Sequence, residues 1–421
     1  MLDKMVDFDI MNNNLFDVLK ERGFIAQTTS DEILSEKLTN EQITFYNGYD
    51  GTASSLHVGN LVTIMAMLHL QRAGHRPIVI IGGGTTMIGD PSGKTEMRQM
   101  LDETIIHANA EAIKTQLNRY INFDNSQAIY INNADWLLDL NYIAFLRDIG
   151  RHFSVNRMLA AEAYKQRLER GLSFIEFNYQ ILQAYDYLEL YRRYGCTLQV
   201  GGDDQWGNLL AGVDLIRRIE SVTVHALTYP LLTTADGAKM GKTAAGAVWL
   251  DPDKLSPYDF YQYWINCDDR DVEKLLKIFT FLSLDEIKHL ALLQGAELRQ
   301  AKRVLAYEVT KITHGESEAS AAAKTSQAAF GTGKDLTSMP STIITASRLE
   351  TGLSILEIFN EVGLTKSRNQ ARRMIQQGGI YVNDERVTDV QAMLTSNDVT
   401  DKGILLRAGK KKYHRIEVKN E

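Results

Sequence analysis

Between Ile43 and Pro230 short apolar runs alternate with stretches of helical period, and this alternation most limits what the chain can become. Ile43 to Tyr46, Pro77 to Ile81, Ala128 to Ile131 and Leu198 to Val200 read as strands, each separated from the next by enough chain for a crossover helix. Strands joined in that way run parallel. The expected fold class is therefore α/β, with a Rossmann-like parallel sheet covered by helices. Ligands of such sheets gather outside the carboxyl ends of the strands. Polar or glycine-bearing segments follow three of the four runs: Tyr46 to Asp50, Gly82 to Lys94, and Gly201 to Trp206.

From Ser256 to Phe330 the strand pattern stops and helical periodicity takes over, through Tyr258 to Ile265, Val272 to Phe279, Asp285 to Leu292 and Leu298 to Ile312. Gly331 to Gly352, rich in Gly, Ser and Thr, reads as a linker that tolerates disorder. A small α+β domain follows, with helical patterns at Ile355 to Val362 and Ser367 to Gln376, a Gly378-Gly379 break and a strand at Ile380 to Val382. The expected division is 1–250, 251–330, a linker at 331–352, and 353–421; a length of 421 residues accommodates it.

Cys196 and Cys267 are the only cysteines and lack partners at metal-ligand spacing, so neither a disulfide framework nor a bound metal is expected. No basic-then-apolar leader opens the chain and no apolar run is long enough to span a bilayer, so a cytoplasmic protein is expected. Charge is uneven. The net value is −7, yet Leu364 to Glu421 carries 12 Lys and Arg against 7 Asp and Glu. A basic end on an acidic protein suits contact with a polyanion such as nucleic acid.

Two segments nearly two hundred residues apart read as halves of one ATP site. His57-Val58-Gly59-Asn60 follows the first strand and opens an apolar helix pattern (Leu61, Val62, Met65, Leu68), so His57 and Asn60 stand at a helix N-terminus suited to polyphosphate. Lys239-Met240-Gly241-Lys242-Thr243 places two ammonium groups three residues apart within a Gly- and Thr-rich loop, Thr233 to Gly246, that is expected to be mobile. Either motif alone is commonplace; their order and contexts give the pair its weight. A P-loop is excluded near Gly89-Asp90-Pro91-Ser92-Gly93-Lys94-Thr95, because Ile88 stands where the first glycine belongs, and Met87 likewise breaks the dinucleotide pattern after Gly82-Gly83-Gly84. Tyr179, Gln183 and Asp186, at spacings of four and three, share one helix face. With Tyr46 they could pair with a substrate hydroxyl and an ammonium group.

Together these stretches resemble a bacterial-type tyrosyl-tRNA synthetase, of the class I aminoacyl-tRNA synthetase family, whose HIGH and KMSKS signatures correspond to the two ATP segments. Further matches are Tyr46-Asn47-Gly48-Tyr49-Asp50, Ile88 to Lys94, Phe145 to Asn156, Leu182-Gln183-Ala184-Tyr185-Asp186, Asp204-Gln205-Trp206-Gly207-Asn208 and the Gly409 to Tyr413 finish. The resemblance implies that Tyr46 and Asp186 bind the tyrosine hydroxyl, that Asp90, Tyr179 and Gln183 hold its ammonium group, and that Gln205 lies near its carboxylate. Thr52 and His57 would meet the ATP phosphates, Asp50 and Asp204 would place the nucleotide, and Thr63 would lie by the ribose. Lys94, Arg98, Lys239 and Lys242 would grip pyrophosphate, with Thr243 keeping a hydroxyl at the end of the loop motif. Lys366, Arg368, Arg372 and Arg373 fall on the helical pattern of an S4-like RNA-binding domain, and the helical region would be an anticodon-side platform.

The implied activity is ATP-dependent activation of L-tyrosine and its transfer to tRNA(Tyr) by a homodimer, with Mg²⁺ arriving with ATP. Three departures stand out: Asn60 replaces the usual His, which keeps a donor but removes a titratable group, Asn47 stands where several relatives carry Cys, and Asp203 where many carry Ser. Tryptophanyl-tRNA synthetase is the nearest rival, and Tyr46, Asp186 and the S4-like tail argue against it. A synthetase-like RNA-binding protein without catalysis is the rival from another class.

Overall fold

The structure, a computed structural model, describes residues 14–92, 101–160, 162–169, 171–243, 246–330, 340–350, 352–400, 403–409 and 412–419. The first sheet contains β1 (Gln27–Thr28), β2 (Thr44–Asp50), β3 (Arg76–Gly82), β4 (Ile129–Asn132), β5 (Leu198–Gly202) and β6 (His225–Tyr229), in the order β1-β6-β5-β2-β3-β4. All neighbours are parallel except β1 against β6. The expected parallel sheet is present. The chain winds from β2 outward through β3 to β4, then returns to the other side of β2 with β5 and β6. The direction of winding therefore reverses between β2 and β5, the place in such sheets where a crevice opens at the strand ends.

Strand and helix composition explain the layers. Ile78, Val79 and Ile81 of β3 are fully buried, as both faces of a parallel sheet must be. The helix α1 (Val58–Arg72) buries Val58, Leu61, Ile64, Met65, Ala66 and Met67 and so lies deep against one face. On the other face lies α2 (Phe174–Tyr194). It starts at a Ser173–Glu176 capping box, with Glu176 also held by buried Arg167 at 3.0 Å, and stops at Gly195 in the left-handed region, φ 64°. Then α3 (Trp206–Glu220) packs along α2.

The contacts divide the chain into two compact units, residues 1–316 and 317–421, rather than at the composition boundaries near 250, 330 and 352. Helices α4 (Pro257–Ile265), α5 (Val272–Phe279), α6 (Leu284–Ala291) and α7 (Leu298–His314) fall in the first unit. Buried Arg22 shows one reason. Its guanidinium donates to the carbonyls of Lys277 (3.2 Å), Thr280 (3.1 Å) and Leu282 (2.7 Å), satisfying the end of α5 from the N-terminal segment.

In the second unit a five-stranded sheet has the order β12-β11-β14-β15-β9, formed by β9 (Ser341–Thr345), β11 (Ile380–Val382), β12 (Glu385–Arg386), β14 (Ile404–Ala408) and β15 (Lys412–Lys419). A separate pair joins β10 (Leu353–Ser354) to β13 (Met393–Leu394). The linker expectation is corrected here. Residues 331–339 lie outside the described residues, but Thr342-Ile343-Ile344-Thr345 is a β-branched run that pairs in parallel with β15. Helices α8 (Ile355–Glu361) and α9 (Arg368–Gln376) cover this sheet through Ile355, Ile358, Phe359, Ala371 and Ile375.

Candidate active site

A cleft of about 550 Å³ opens at the β2/β5 reversal. It gathers Tyr46 and Asp50 from β2, Thr52 from the turn after it, His57, Asn60 and Thr63 from the start of α1, Asp90 from the loop after β3, and Tyr179, Gln183 and Asp186 from α2. Asp204 and Gln205 enter after β5, and Lys239 from the distant loop. Lys94 and Arg98 lie outside the described residues. Lys242 and Thr243 form the short strand β7, paired with β8 (Gly246–Ala247).

At one end of the cleft buried side chains from the sheet and α2 surround a carboxylate. Asp186 accepts from Asn133 Nδ2 at 2.9 Å and Trp136 Nε1 at 2.7 Å, so both oxygens are already engaged and aimed. Burial nevertheless pushes its pKa up to about 7, with the charges of Asp50 and Glu189 adding to the rise and the two hydrogen bonds opposing it. The Tyr46 ring packs on Tyr187 with centroids 5.3 Å apart, and its buried hydroxyl has no hydrogen-bond partner among the described residues. Gln183 Oε1 is in the same condition. Nearby, Gln205 donates to Asp90 at 2.7 Å and Tyr179 donates to Asp50 at 3.2 Å. Burial raises the Asp90 carboxyl above its ordinary range, and the Asp50 charge raises it further. Such groups can hold an aromatic alcohol at its hydroxyl and a cationic amine at its other end.

Elsewhere in the cleft the contacts come from loops and a helix end. His57 caps α1, accepting from Gly59 N at 3.0 Å, while Asn60 Oδ1 accepts from His57 N at 3.1 Å. Asn60 is thus half of a capping box that leaves the helix N-terminus facing the cleft. The segments around His57–Asn60 and Lys239–Thr243 meet directly. Val58 N donates to Val248 O and Leu250 N to Leu56 O, both at 2.9 Å, and Val248 N donates to Gly241 O at 2.9 Å. A Cβ on Gly241 would lie 3.0 Å from Gly59 N, so glycine meets glycine where the segments touch. The loop expected to be mobile is tied down at several points: Met240 N to Leu232 O at 2.8 Å, Ala235 N to Asp271 at 3.0 Å, and Lys274 Nζ to Thr233 O at 2.9 Å.

Comparison with known proteins matches this geometry. The family described as tRNA synthetases class I (W and Y) matches residues 38–331, and the family of the tyrosine--tRNA ligase SYY-like C-terminal domain matches residues 334–416. The chain is 54% identical to a tyrosine--tRNA ligase of Clostridium tetani over 97% of its own length and all of the relative's. It is 55% identical to one from Caldanaerobacter subterraneus over 96% of its length and all of the relative's. The chain belongs to the tyrosine--tRNA ligase family. Among solved structures, a C-terminally truncated mitochondrial tyrosyl-tRNA synthetase of Aspergillus nidulans aligns with TM-score 0.67 and 30% identity, covering 76% of this chain and 96% of that one. A tryptophanyl-tRNA synthetase of Encephalitozoon cuniculi, at 13% identity and TM-score 0.56, shares the fold alone.

For this family member, sequence reasoning named Tyr46 and Asp186 but missed Asn133 and Trp136, which orient the carboxylate. Their place just past the carboxyl end of β4 was the available signal. Asp203 is used structurally: its carboxylate accepts from Gln27 at 2.7 Å and Thr228 at 2.9 Å. In the second unit Lys366, Arg368, Arg372 and Arg373 are all exposed on or beside α9, with Arg368 paired to Glu357 at 3.0 Å. Among the described residues no helix is long and apolar enough to cross a membrane.

Proposed function

We propose that the cleft activates L-tyrosine with ATP and then passes the tyrosyl group to tRNA(Tyr). The observation that carries this reading is the juxtaposition, in one cleft, of an aimed buried carboxylate beside a partnerless phenol and the two touching ATP segments. Tyr46 and Asp186 take the substrate hydroxyl. Asp90, Tyr179 and Gln183 take its ammonium group, and Gln205, which donates to Asp90 at 2.7 Å, lies near the substrate carboxylate.

A substrate carboxylate is already a nucleophile at neutral pH. One of its oxygens attacks the α-phosphorus, the bond from that phosphorus to the bridging oxygen breaks, and pyrophosphate leaves with the electron pair. No general base is needed, so the protein's part is positioning and charge stabilisation. Thr52, His57 and the α1 N-terminus receive phosphate oxygens, while Lys94, Arg98, Lys239 and Lys242 offset the charge that builds on pyrophosphate. Asp50, Asp204, Asn60, Thr63 and Thr243 place the nucleotide. Mg²⁺ enters with ATP and neutralises part of the phosphate charge. In the second step a terminal-adenosine hydroxyl of tRNA attacks the tyrosyl carbonyl and AMP leaves. Lys366, Arg368, Arg372 and Arg373 give the second unit a cationic surface for RNA phosphates, whose affinity weakens with salt. The working form is a cytoplasmic homodimer.

Tyrosine-dependent ATP–pyrophosphate exchange without tRNA tests the reading, with tryptophan and phenylalanine as controls. Exchange with tyrosine is expected; exchange with tryptophan or with none would overturn it. In Lys242→Ala the exchange rate should fall about 100-fold while tyrosine affinity, measured by equilibrium dialysis, stays unchanged.

A further inference from the structure

Tyr229 closes β6 and has no part in the site described so far. Its side chain is 1% exposed, yet it lines the same cleft. Its ring is fixed edge-on to Phe24 at 6.4 Å between centroids, and its backbone lies beside Gly202, where β5 ends. Among the described residues the hydroxyl has no hydrogen-bond partner. Burying a phenol oxygen unpaired is unfavourable, and phenylalanine would fill the space against Phe24 without that penalty. Tyr46, the phenol proposed for the tyrosine substrate, is in the same condition in the same cleft, so the two share both an open hydroxyl and a place in the lining.

Which ligand follows from the face of the sheet. Side chains alternate along β2, so Tyr46 faces α2 and packs on Tyr187, while Tyr49 faces α1, where its hydroxyl meets Thr63 Oγ1 at 2.9 Å and Met67 Sδ at 3.5 Å. Tyr229 belongs to the second face. Phe24, against which it packs, touches His69 of α1 with centroids 5.4 Å apart, and after burial the Tyr49 phenol is what pushes the Tyr229 pKa up. Tyr229 therefore stands on the α1 side of the sheet with Tyr49 and Thr63, on the face opposite Tyr46.

We propose that Tyr229 is a specificity residue for the nucleotide, its hydroxyl making a hydrogen bond to the nucleoside half of ATP. This rests on the proposed exchange activity of the cleft. Tyr229→Phe removes only the oxygen. In pyrophosphate exchange the variant should show KM for ATP raised about three- to ten-fold, KM for tyrosine unchanged, and a melting temperature equal to or above that of the parent. If the parent chain shows no tyrosine-dependent exchange, the functional reading itself fails. If the parent exchanges and KM for ATP is unmoved by Tyr229→Phe, or if both KM values rise together with a lower melting temperature, the phenol is structural and this inference is overturned. Repeating the comparison with 2′-deoxy-ATP assigns the contact. A gap between parent and variant that vanishes places the bond on the ribose 2′-hydroxyl, and one that persists places it elsewhere on the nucleoside.

Discussion

The two ends of the cleft are built by different means. The end proposed for tyrosine rests on β2, the segment after β3 and the long helix α2, and its central carboxylate is held by Asn133 and Trp136. The end proposed for ATP rests on a helix terminus and a loop brought nearly two hundred residues along the chain, joined by backbone hydrogen bonds and a contact between two glycines. A rigid, buried pocket discriminates, because a ligand lacking the right polar group leaves protein groups unpaired. An assembled, cationic end suits charge that develops only during reaction. Perturbing one end should therefore change amino-acid recognition and perturbing the other should change turnover.

Asp186→Asn should give the largest effect. Asparagine is nearly the same size but turns one acceptor into a donor facing the donors of Asn133 and Trp136, and it removes the charge that receives the substrate hydroxyl. Exchange measured at saturating ATP should lose about 100-fold or more in kcat/KM for tyrosine, while phenylalanine, already poor, changes little. A similar loss for both amino acids would mean that Asp186 holds up the fold of the pocket and that the proposed division between the ends is wrong.

What could be read in the sequence follows the same division. Four strands, the helices α1 and α4 to α7 and the Tyr179-Gln183-Asp186 stripe were legible because each is a local period in the chain. Tyr46 and Asp186 could be matched by family resemblance, but Asn133 and Trp136 could not be paired with Asp186, since that hydrogen bonding spans about 50 residues and depends on β4 lying beside β3. β9 was hidden inside a stretch whose Gly, Ser and Thr content suggests a linker, and its parallel partner comes some 70 residues later. β6 was passed over because His225-Ala226-Leu227-Thr228-Tyr229 mixes polar and apolar residues that are all buried, so no alternation betrays it. The two ATP motifs were legible as motifs, but their glycine-to-glycine contact was not, because nothing in either segment shows which backbone atoms meet.

The pH dependence of discrimination sharpens the comparison. The Asp186 pKa is raised by burial from an ordinary 3.8 to about 7. A raised value in the folded state means that its contribution to stability is fully present below about 4 and is lost as pH rises toward about 7, where the unfolded chain has already released the proton. In the proposed binding mode substrate binding runs the other way, with the tyrosine hydroxyl donating to the ionised carboxylate. The kcat/KM ratio of tyrosine to phenylalanine should therefore climb by up to about tenfold per pH unit below neutrality and level off above about 7. Asp90, whose pKa is also raised, is proposed to serve the ammonium group common to both amino acids, so its titration should cancel in the ratio. A flat ratio across this range would show that tyrosine does not use the charged form of Asp186.

The smallest change tests the contact on which the ATP end depends. Gly241 has φ 88°, and a methyl group there would sit 3.0 Å from Gly59 N and 3.7 Å from both Gly59 Cα and His57 Nδ1. In Gly241→Ala the backbone is asked to keep a left-handed conformation that costs alanine about 1 kcal/mol and to press on the first turn of α1. The simplest relief is a shift of the loop away from α1, which carries Lys239 and Lys242 off the phosphates while leaving Tyr46 and Asp186 untouched. Exchange kcat should fall about five- to ten-fold, with KM for tyrosine unchanged. A parallel loss of tyrosine affinity would show that the glycine contact supports the whole cleft rather than the ATP end.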